Sequence, residues 1–366
     1  MKRPVRVITT GLVVAAFIGY AAWTVMHNPA WRNFDYRKLF QTIEQIRVPE
    51  MLGAALLMYM TYFLRACRWY EFLLPVKATD IRRNFVAMVM GFGAVAVLGR
   101  PGELVRPYLV ARQEDMPVSS QMAVWVLERF CDTVAMVLVV AGGFLLGGSG
   151  EEEPGTPVAP LLVGMRRAGI TLLIATVIGT VLLIIYEERL RAGKPLRLGF
   201  LPHGWADRVR DAMASFARGL AALRSARAIS LGAVYSIAIW VMIAAAFWMV
   251  LQAFGPPLDD LNFASCMLVM GFAIAGSVVQ APGVGGGSQV LAILALTEIY
   301  GVPPEIATTA GIVLWALAFM SVIPLAFGVG LSKGITLRSL RMITKEQGGT
   351  ASGFWRKQDL LERGKR

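Results

Sequence analysis

The residues best placed to do chemistry in this chain are charged side chains set inside apolar sequence. Arg65, Arg68, Arg100, Glu103, Arg106, Glu128, Arg129 and Asp132 all lie in or beside stretches that are otherwise hydrophobic. Helical spacing brings several of them together: Glu128 and Asp132 are one turn apart, Arg129 meets Asp132 at i,i+3, and Arg65 shares a face with Arg68. Glu103 and Arg106 share a face if a helix restarts after Pro101, with Glu103 then near the positive end of its dipole. A charge near the centre of a bilayer costs roughly 2.5–3.5 kcal/mol on insertion scales, so such a set persists only if its members pair or face a hydrated cavity. Two readings stay open. One is an arginine-rich cavity suited to phosphate, whose oxygens match the guanidinium fork. The other is a set of buried ion pairs that fix helix packing. For Arg65, snorkelling to an interface is the simpler expectation.

Two Pro-Gly turns supply the other candidate surfaces. The apolar segment Asn84–Arg112 breaks at Arg100-Pro101-Gly102-Glu103, and Leu261–Gly301 breaks over Ala281-Pro282-Gly283-Val284-Gly285-Gly286-Gly287-Ser288-Gln289. Each carries Gly-Phe about ten residues before its Pro-Gly, at Gly91-Phe92 and Gly271-Phe272. Proline removes a donor and glycine lowers helix preference, so both helices should break there. Irregular backbone at membrane depth survives only where protein or a water-filled cavity covers it. The segments therefore read as re-entrant hairpins entering from opposite sides, an inverted-repeat pattern that places a site where the broken helices meet. Pairs of ordinary spans with surface loops are the alternative.

Little else offers chemistry. The three cysteines, Cys67, Cys131 and Cys266, are widely spaced in apolar sequence and read as small buried hydrophobes. The two histidines, His27 and His203, are isolated. No catalytic set, metal site or cofactor is expected.

The elements that must hold these residues are membrane helices. Of 366 residues 56% are hydrophobic and 16% charged, against about 25% charged in an ordinary soluble domain. Several runs reach the roughly 18 residues needed to cross a bilayer. The net charge of +12 sits in loops and tails flanking these runs, a positive-inside pattern and not a nucleic-acid surface. Expected spans cover 8–26, 50–73, 117–147, 168–186, 229–252 and 305–332, with an interfacial stretch at 31–48. The first reads as a retained anchor and not a signal peptide.

Alternation closes with both termini in the cytoplasm: basic Lys77, Arg82 and Arg83 fall on one side, and Glu151–Glu153, Asp259 and Asp260 on the other. Arg166 and Arg167 alone fall on the wrong side. The expected fold is an all-α polytopic membrane protein of about six full spans plus two oppositely entering re-entrant hairpins. Residues 1–332 form a single transmembrane domain, with a cytoplasmic segment at 187–228 and a basic cytoplasmic tail at 333–366. Within 187–228, Trp205, Val209, Met213, Phe216, Leu220 and Leu223 would line one face of a helix that lies on the inner leaflet or packs on the span ends.

At these residues the chain resembles the lysylphosphatidylglycerol synthase transmembrane family, also called flippase-like. The resembling features are Arg68-Trp69, Gly99-Arg100-Pro101-Gly102-Glu103 with Arg106-Pro107, Glu128-Arg129-x-x-Asp132, and the glycine-rich turn at Pro282-Gly283. They run from about 50 to 332. The resemblance implies a lipid flippase or scramblase, with an inner-membrane location in a bacterium, and, with no long hydrophilic segment in view, no aminoacyl-transferase domain is expected. Its site would comprise Arg68, Arg100, Glu103, Arg106, Glu128, Arg129, Asp132, Pro282, Gly283, Gly285 and Gln289. The family usually places a glutamate seven residues after the proline of the late turn, where this chain has Gln289. That departure tilts the expected substrate towards an anionic or neutral lipid. The expected partner is a membrane lipid with a phosphate-bearing head group, not nucleic acid; a homo-oligomer or a soluble enzyme partner bound through 187–228 also remains open. Competing readings are an intramembrane enzyme acting on a lipid-linked substrate and a non-transporting membrane subunit.

Overall fold

The computed structural model of the protein describes residues 34–146, 213–278, 280, 281 and 285–333, with scattered helical positions between 167 and 189. The expected first span at 8–26, Trp205, Val209 and the tail from 334 lie outside the described residues.

A short helix α1 (Tyr36–Glu44), capped by the Asp35 carboxylate accepting from the Arg37 N–H, leads into α2 (Val48–Leu73). Asp80 caps α3 (Ile81–Leu98) through the Arg82 N–H. Gly99, at φ 70°, ends α3 in a left-handed conformation that favours glycine. A 3-10 turn (Arg100–Leu104) then starts α4 (Val105–Gln113), and α5 (Val118–Leu146) follows. After a second 3-10 turn (Leu220–Arg224), Ser225 caps α6 (Ala226–Ala253) and Asn262 caps α7 (Phe263–Gly276). Two-residue strands β1 (Gln280–Ala281) and β2 (Gly285–Gly286) pair antiparallel and deliver the chain into α8 (Gly287–Leu294), which continues as a π turn (Ala295–Ile299). The last long rod is α9 (Pro304–Trp315), a π turn (Ala316–Met320) and α10 (Val322–Lys333).

The axis of the bundle is the antiparallel pair α2 and α6. At one end the Arg47 N–H donates to the Ala253 carbonyl at 2.8 Å, and at the other Arg227 pairs with Glu71 at 3.1 Å. Gly53 lies against Met249 and Gly232 against the Phe72 ring, so small residues let the two helices approach closely along their length. The Glu71 end gathers Lys77, Arg82, Arg83, Arg112, Arg218, Arg224 and Arg227 against Glu71, Asp80, Glu114 and Asp115, whereas the Arg47 end gathers Asp35, Glu44, Glu50, Asp259, Asp260, Glu298 and Glu305 against Arg37, Lys38 and Arg47.

Two helical hairpins enter from opposite ends of this pair. Helix α3 starts and α4 ends at the basic end, where Arg83 donates to the Gln113 carbonyl at 3.3 Å and Lys77 donates to the Glu114 carbonyl. Further in, Gly91 faces Arg106 and Gly102 lies on the Ala94 backbone. Helix α7 starts at the acidic end and α8 with its π turn returns there, where the Tyr300 hydroxyl donates to the Ser265 carbonyl at 3.3 Å, and the two close where Gly276 meets the Gly287 carbonyl. At 14 and 13 residues, α7 and α8 with its π turn reach only ~20 Å, short of the ~30 Å hydrocarbon core. The nine residues of α4 reach less still. Neither hairpin is a pair of full spans.

The order is therefore span, hairpin, span in α2–α5, and the same order with reversed direction in α6–α10. Val-Met-Gly-Phe stands in the ingoing arm of each hairpin, at Val89–Phe92 and at Val269–Phe272. The protein is an all-α polytopic membrane protein. Among the described residues three helices are long and apolar enough to cross a membrane: Ile81–Leu98, Ala226–Ala253 and Pro304–Ser332. Helices α2 and α5, with 26 and 29 residues, are as long but carry charges in mid-course. The described positions of the expected span 168–186 are helical, and Gly179 approaches the Phe130 ring of α5. Of the expected amphipathic segment, residues 213–219 are helical, Leu220 is buried, and Gly219 packs on the Ser120 carbonyl and Ala123 of α5. This part packs on the spans.

Gly102 tests the hairpin closure, because a Cβ there would collide with the Ala94–Val95 backbone. Gly102→Val should destabilise the protein by about 1–3 kcal/mol or more. Gly142, with nothing within 4 Å of a built Cβ, should accept Gly142→Ala with no loss of stability. Thermal unfolding of the two purified variants compares them directly.

Candidate functional site

The charges on α2 and α5 explain one another. Glu128 and Asp132 project from one face of α5, roughly 15–21 Å along a helix of about 43 Å, which is mid-depth. Arg68 of α2 reaches both, with Nη1 2.6 Å from Asp132 Oδ1 and Nη2 2.8 Å from Glu128 Oε1. Its remaining contact is the Ser236 hydroxyl oxygen of α6 at 2.6 Å, while that hydroxyl donates to the Gly232 carbonyl. At 1% side-chain exposure Arg68 is enclosed by these partners. Arg65, one turn earlier, donates to Asp132 at 3.2 Å and lies 3.6 Å from Glu128. Arg129 reaches Glu128 at 3.0 Å and Asp132 at 2.9 Å.

The fourth guanidinium comes from the first hairpin. Arg106 stands at the second position of α4 and pairs with Glu128 Oε2 at 2.7 Å. Its backbone can approach α3 because Gly91 has no side chain: a Cβ there would lie 2.6 Å from the Arg106 Cβ. Aromatic faces cover what the carboxylates leave. The Arg106 guanidinium lies 4.6 Å from the Trp69 ring centroid and 5.5 Å from Phe92, and Arg65 lies 5.2 Å from Phe92. Four guanidiniums thus share two carboxylates, and with Glu103 beside them in the cavity lining these groups keep a surplus of one positive charge.

That surplus borders a cavity of about 310 Å³. Arg65, Glu103, Arg106, Arg129 and Asp132 form its charged wall. The rest of the lining is mostly apolar: Met58, Phe92 and Val95 come from the first half of the chain, and Trp240, Ile243 and Phe247 of α6, Met270 and Ile274 of α7, and Ala318 and Phe319 of the π turn come from the second. Ser277 and Ser288 contribute from the closed end of the second hairpin. Among the described residues no group of three or more His, Cys, Asp or Glu side chains could hold a metal ion.

Of the residues singled out in the sequence, Arg68, Arg106, Glu128, Arg129 and Asp132 converge in one network, and Glu103 lines the same cavity. Arg106 finds its carboxylate in Glu128, not Glu103. Arg100 sits in the 3-10 turn, with its side chain outside the described residues, as are Pro282 and Gly283. Gly285 and Gln289 are not in the cavity wall. Gly285, at φ 95°, faces the Gln289 amide, whose Oε1 accepts from the Gly286 N–H at 2.8 Å and braces the turn.

The expectation that Arg65 snorkels to an interface is wrong. Its side chain is buried against Asp132 and Phe92, because α5 and α3 bring a carboxylate and a ring to its own depth. Its i,i+3 relation to Arg68 was the available signal. The apolar lining and the two serines carried no distinguishing signal in the sequence.

A family model described as the lysylphosphatidylglycerol synthase TM region matches residues 8–350, which includes every element of this site. No curated protein matches the chain significantly.

Arg68 and Arg129 differ in what they hold. Arg68→Met leaves two buried carboxylates with fewer partners and should cost about 3–5 kcal/mol, read as a large loss of folded yield and of unfolding temperature in detergent. Arg129, with 39% of its side chain exposed, should tolerate Arg129→Gln with a loss under about 1 kcal/mol.

Proposed function

We propose, from the premise that this chain belongs to the lysylphosphatidylglycerol synthase transmembrane family, that it moves a phosphate-bearing lipid between membrane leaflets. Family membership ties the protein to membrane lipid metabolism or transport. The observation that carries the finer reading is the mixed lining of the cavity, surplus guanidinium charge together with apolar side chains. Guanidinium forks suit phosphate oxygens, and an apolar lining suits the first carbons of a lipid tail. At about 310 Å³ the cavity stands at the small end of ligand pockets, which run ~300–1,000 Å³. It accommodates a head group while the tails remain in the bilayer. The hairpins from opposite ends give the head group a site approachable from either leaflet by rocking of one repeat against the other.

In this reading the basic end faces the cytoplasm, by the positive-inside rule, and the protein resides in a bacterial inner membrane. Cysteine labelling checks the orientation. In whole cells a membrane-impermeant maleimide should label Asp260→Cys directly and Arg82→Cys only after permeabilisation, and the reverse pattern would invert the assignment.

Transport itself is tested in proteoliposomes with fluorescent phosphatidic acid, phosphatidylglycerol and polyprenyl phosphate. Leaflet exchange of at least one should accelerate on reconstitution. Arg129→Gln should slow it by about tenfold or more, the loss expected from one charge-assisted contact. Exchange no faster than in empty vesicles across the panel would sink the reading.

A further inference from the structure

The second hairpin also reaches the cavity with polar groups. Ser288 is the second residue of α8, as Arg106 is the second residue of α4, and both line the same cavity. The closures match as well: Gly91 makes room for Arg106, and Gly276 lies against Gly287 and the Ser288 amide. Each returning arm therefore brings the second residue of its helix to one site, a cation from one and a hydroxyl from the other. Ser288 is 4% exposed, and its hydroxyl has no hydrogen-bond partner among the described residues. The residue lines the cavity, which is where a partner for that hydroxyl can sit. Ser277 differs, because its hydroxyl already donates to the Ile274 carbonyl at 2.7 Å.

We infer that Ser288 is a ligand-binding residue that donates a hydrogen bond to a phosphate oxygen of the head group, in the cavity that it shares with Arg106 and Arg129. This assignment rests on the phosphate-lipid reading of the cavity and adds a specific donor to it. The apolar surroundings of Ser288 make a lipid phosphate its natural acceptor: the tail lies against Phe247, Met270 and Phe319 while the phosphate bridges to the guanidiniums.

The test is equilibrium binding to the full-length protein in nanodiscs. The probes are short-chain phosphatidic acid, diacylglycerol with the same tails, and inorganic phosphate, with wild type, Ser288→Ala and Ser277→Ala compared. Ser288→Ala is expected to weaken phosphatidic acid binding about tenfold, with diacylglycerol binding and the ligand-free unfolding temperature unchanged. Ser277→Ala should stay near wild type. Unchanged phosphatidic acid affinity in Ser288→Ala, or an equal loss in both serine variants, overturns the assignment. A loss confined to inorganic phosphate overturns the lipid as the source of the phosphate. Wild type that binds neither phosphate probe removes the phosphate-lipid reading and this inference with it, an outcome distinct from a wild type that binds and a variant that does not differ.

Discussion

Charge in hydrocarbon must be neutralised locally, and in this protein one shared set of ion pairs meets that requirement. Glu128 is within ion-pair distance of four guanidiniums and Asp132 of three. Because the partners come from α2, α4 and α5, with Ser236 of α6 completing the shell of Arg68, satisfying the charges also fixes how those helices pack. Helix α2 cannot slide along α5 without stranding Arg68, and α4 cannot withdraw without uncovering Glu128. Gly91 and Gly232 serve the same end by letting α4 and α2 come close enough for the side chains to reach. A buried ion pair need not add net stability relative to an apolar replacement. What this one supplies is register, and a charged surface at a depth where little else could be charged.

The two repeats share a backbone plan and divide the chemistry unequally. The first carries all the described ionic groups of the network, whereas the second presents Trp240, Phe247, Met270 and Phe319 to the same cavity. Irregular backbone accompanies this division. At the tip of the second hairpin Gly285 of the strand pair is buried, and the π turn at Ala316–Met320 contributes Ala318 and Phe319 to the cavity wall. Protein cover is the condition under which such backbone persists at depth, and π turns recur where a helix is bent to serve a site. An asymmetric cavity of this kind suits an asymmetric ligand, polar at one end and apolar at the other.

Much of this was legible locally. The i,i+3 and i,i+4 spacings in α5 and the Pro-Gly breaks act over a few residues, so they survive without knowledge of the tertiary fold. The alternation of basic and acidic loops implied opposite directions for the hairpins, which the pairing of Arg83 with Gln113 and of Ser265 with Tyr300 displays. What failed was long range. Arg65 is satisfied by a carboxylate 67 residues away, and with the partner unseen an interfacial position looked cheaper. Arg106 exchanged the nearby Glu103 for Glu128, because the 3-10 turn at Arg100–Leu104 reorients the start of α4. Gln289 was placed among the substrate-binding residues; its acceptor oxygen instead caps Gly286, a task that an amide performs as well as a carboxylate would.

A site that recognises an anion and also releases it faces a conflict that this network can resolve. Bare surplus guanidiniums would hold a phosphate too tightly, since desolvated opposite charges attract strongly at low dielectric, and transport needs binding weak enough to reverse. Here Glu128 and Asp132 already occupy much of the donor capacity, so an incoming phosphate competes with resident carboxylates for the same N–H groups. Arg68 is enclosed and keeps those carboxylates in place, while Arg129, the most exposed of the four, has the freedom to turn from them to a ligand and back. The exchange is then one counter-ion for another instead of a gain or loss of all neutralisation. In the proposed cycle that equivalence, more than raw affinity, allows a charged head group to rest at mid-membrane and still leave it.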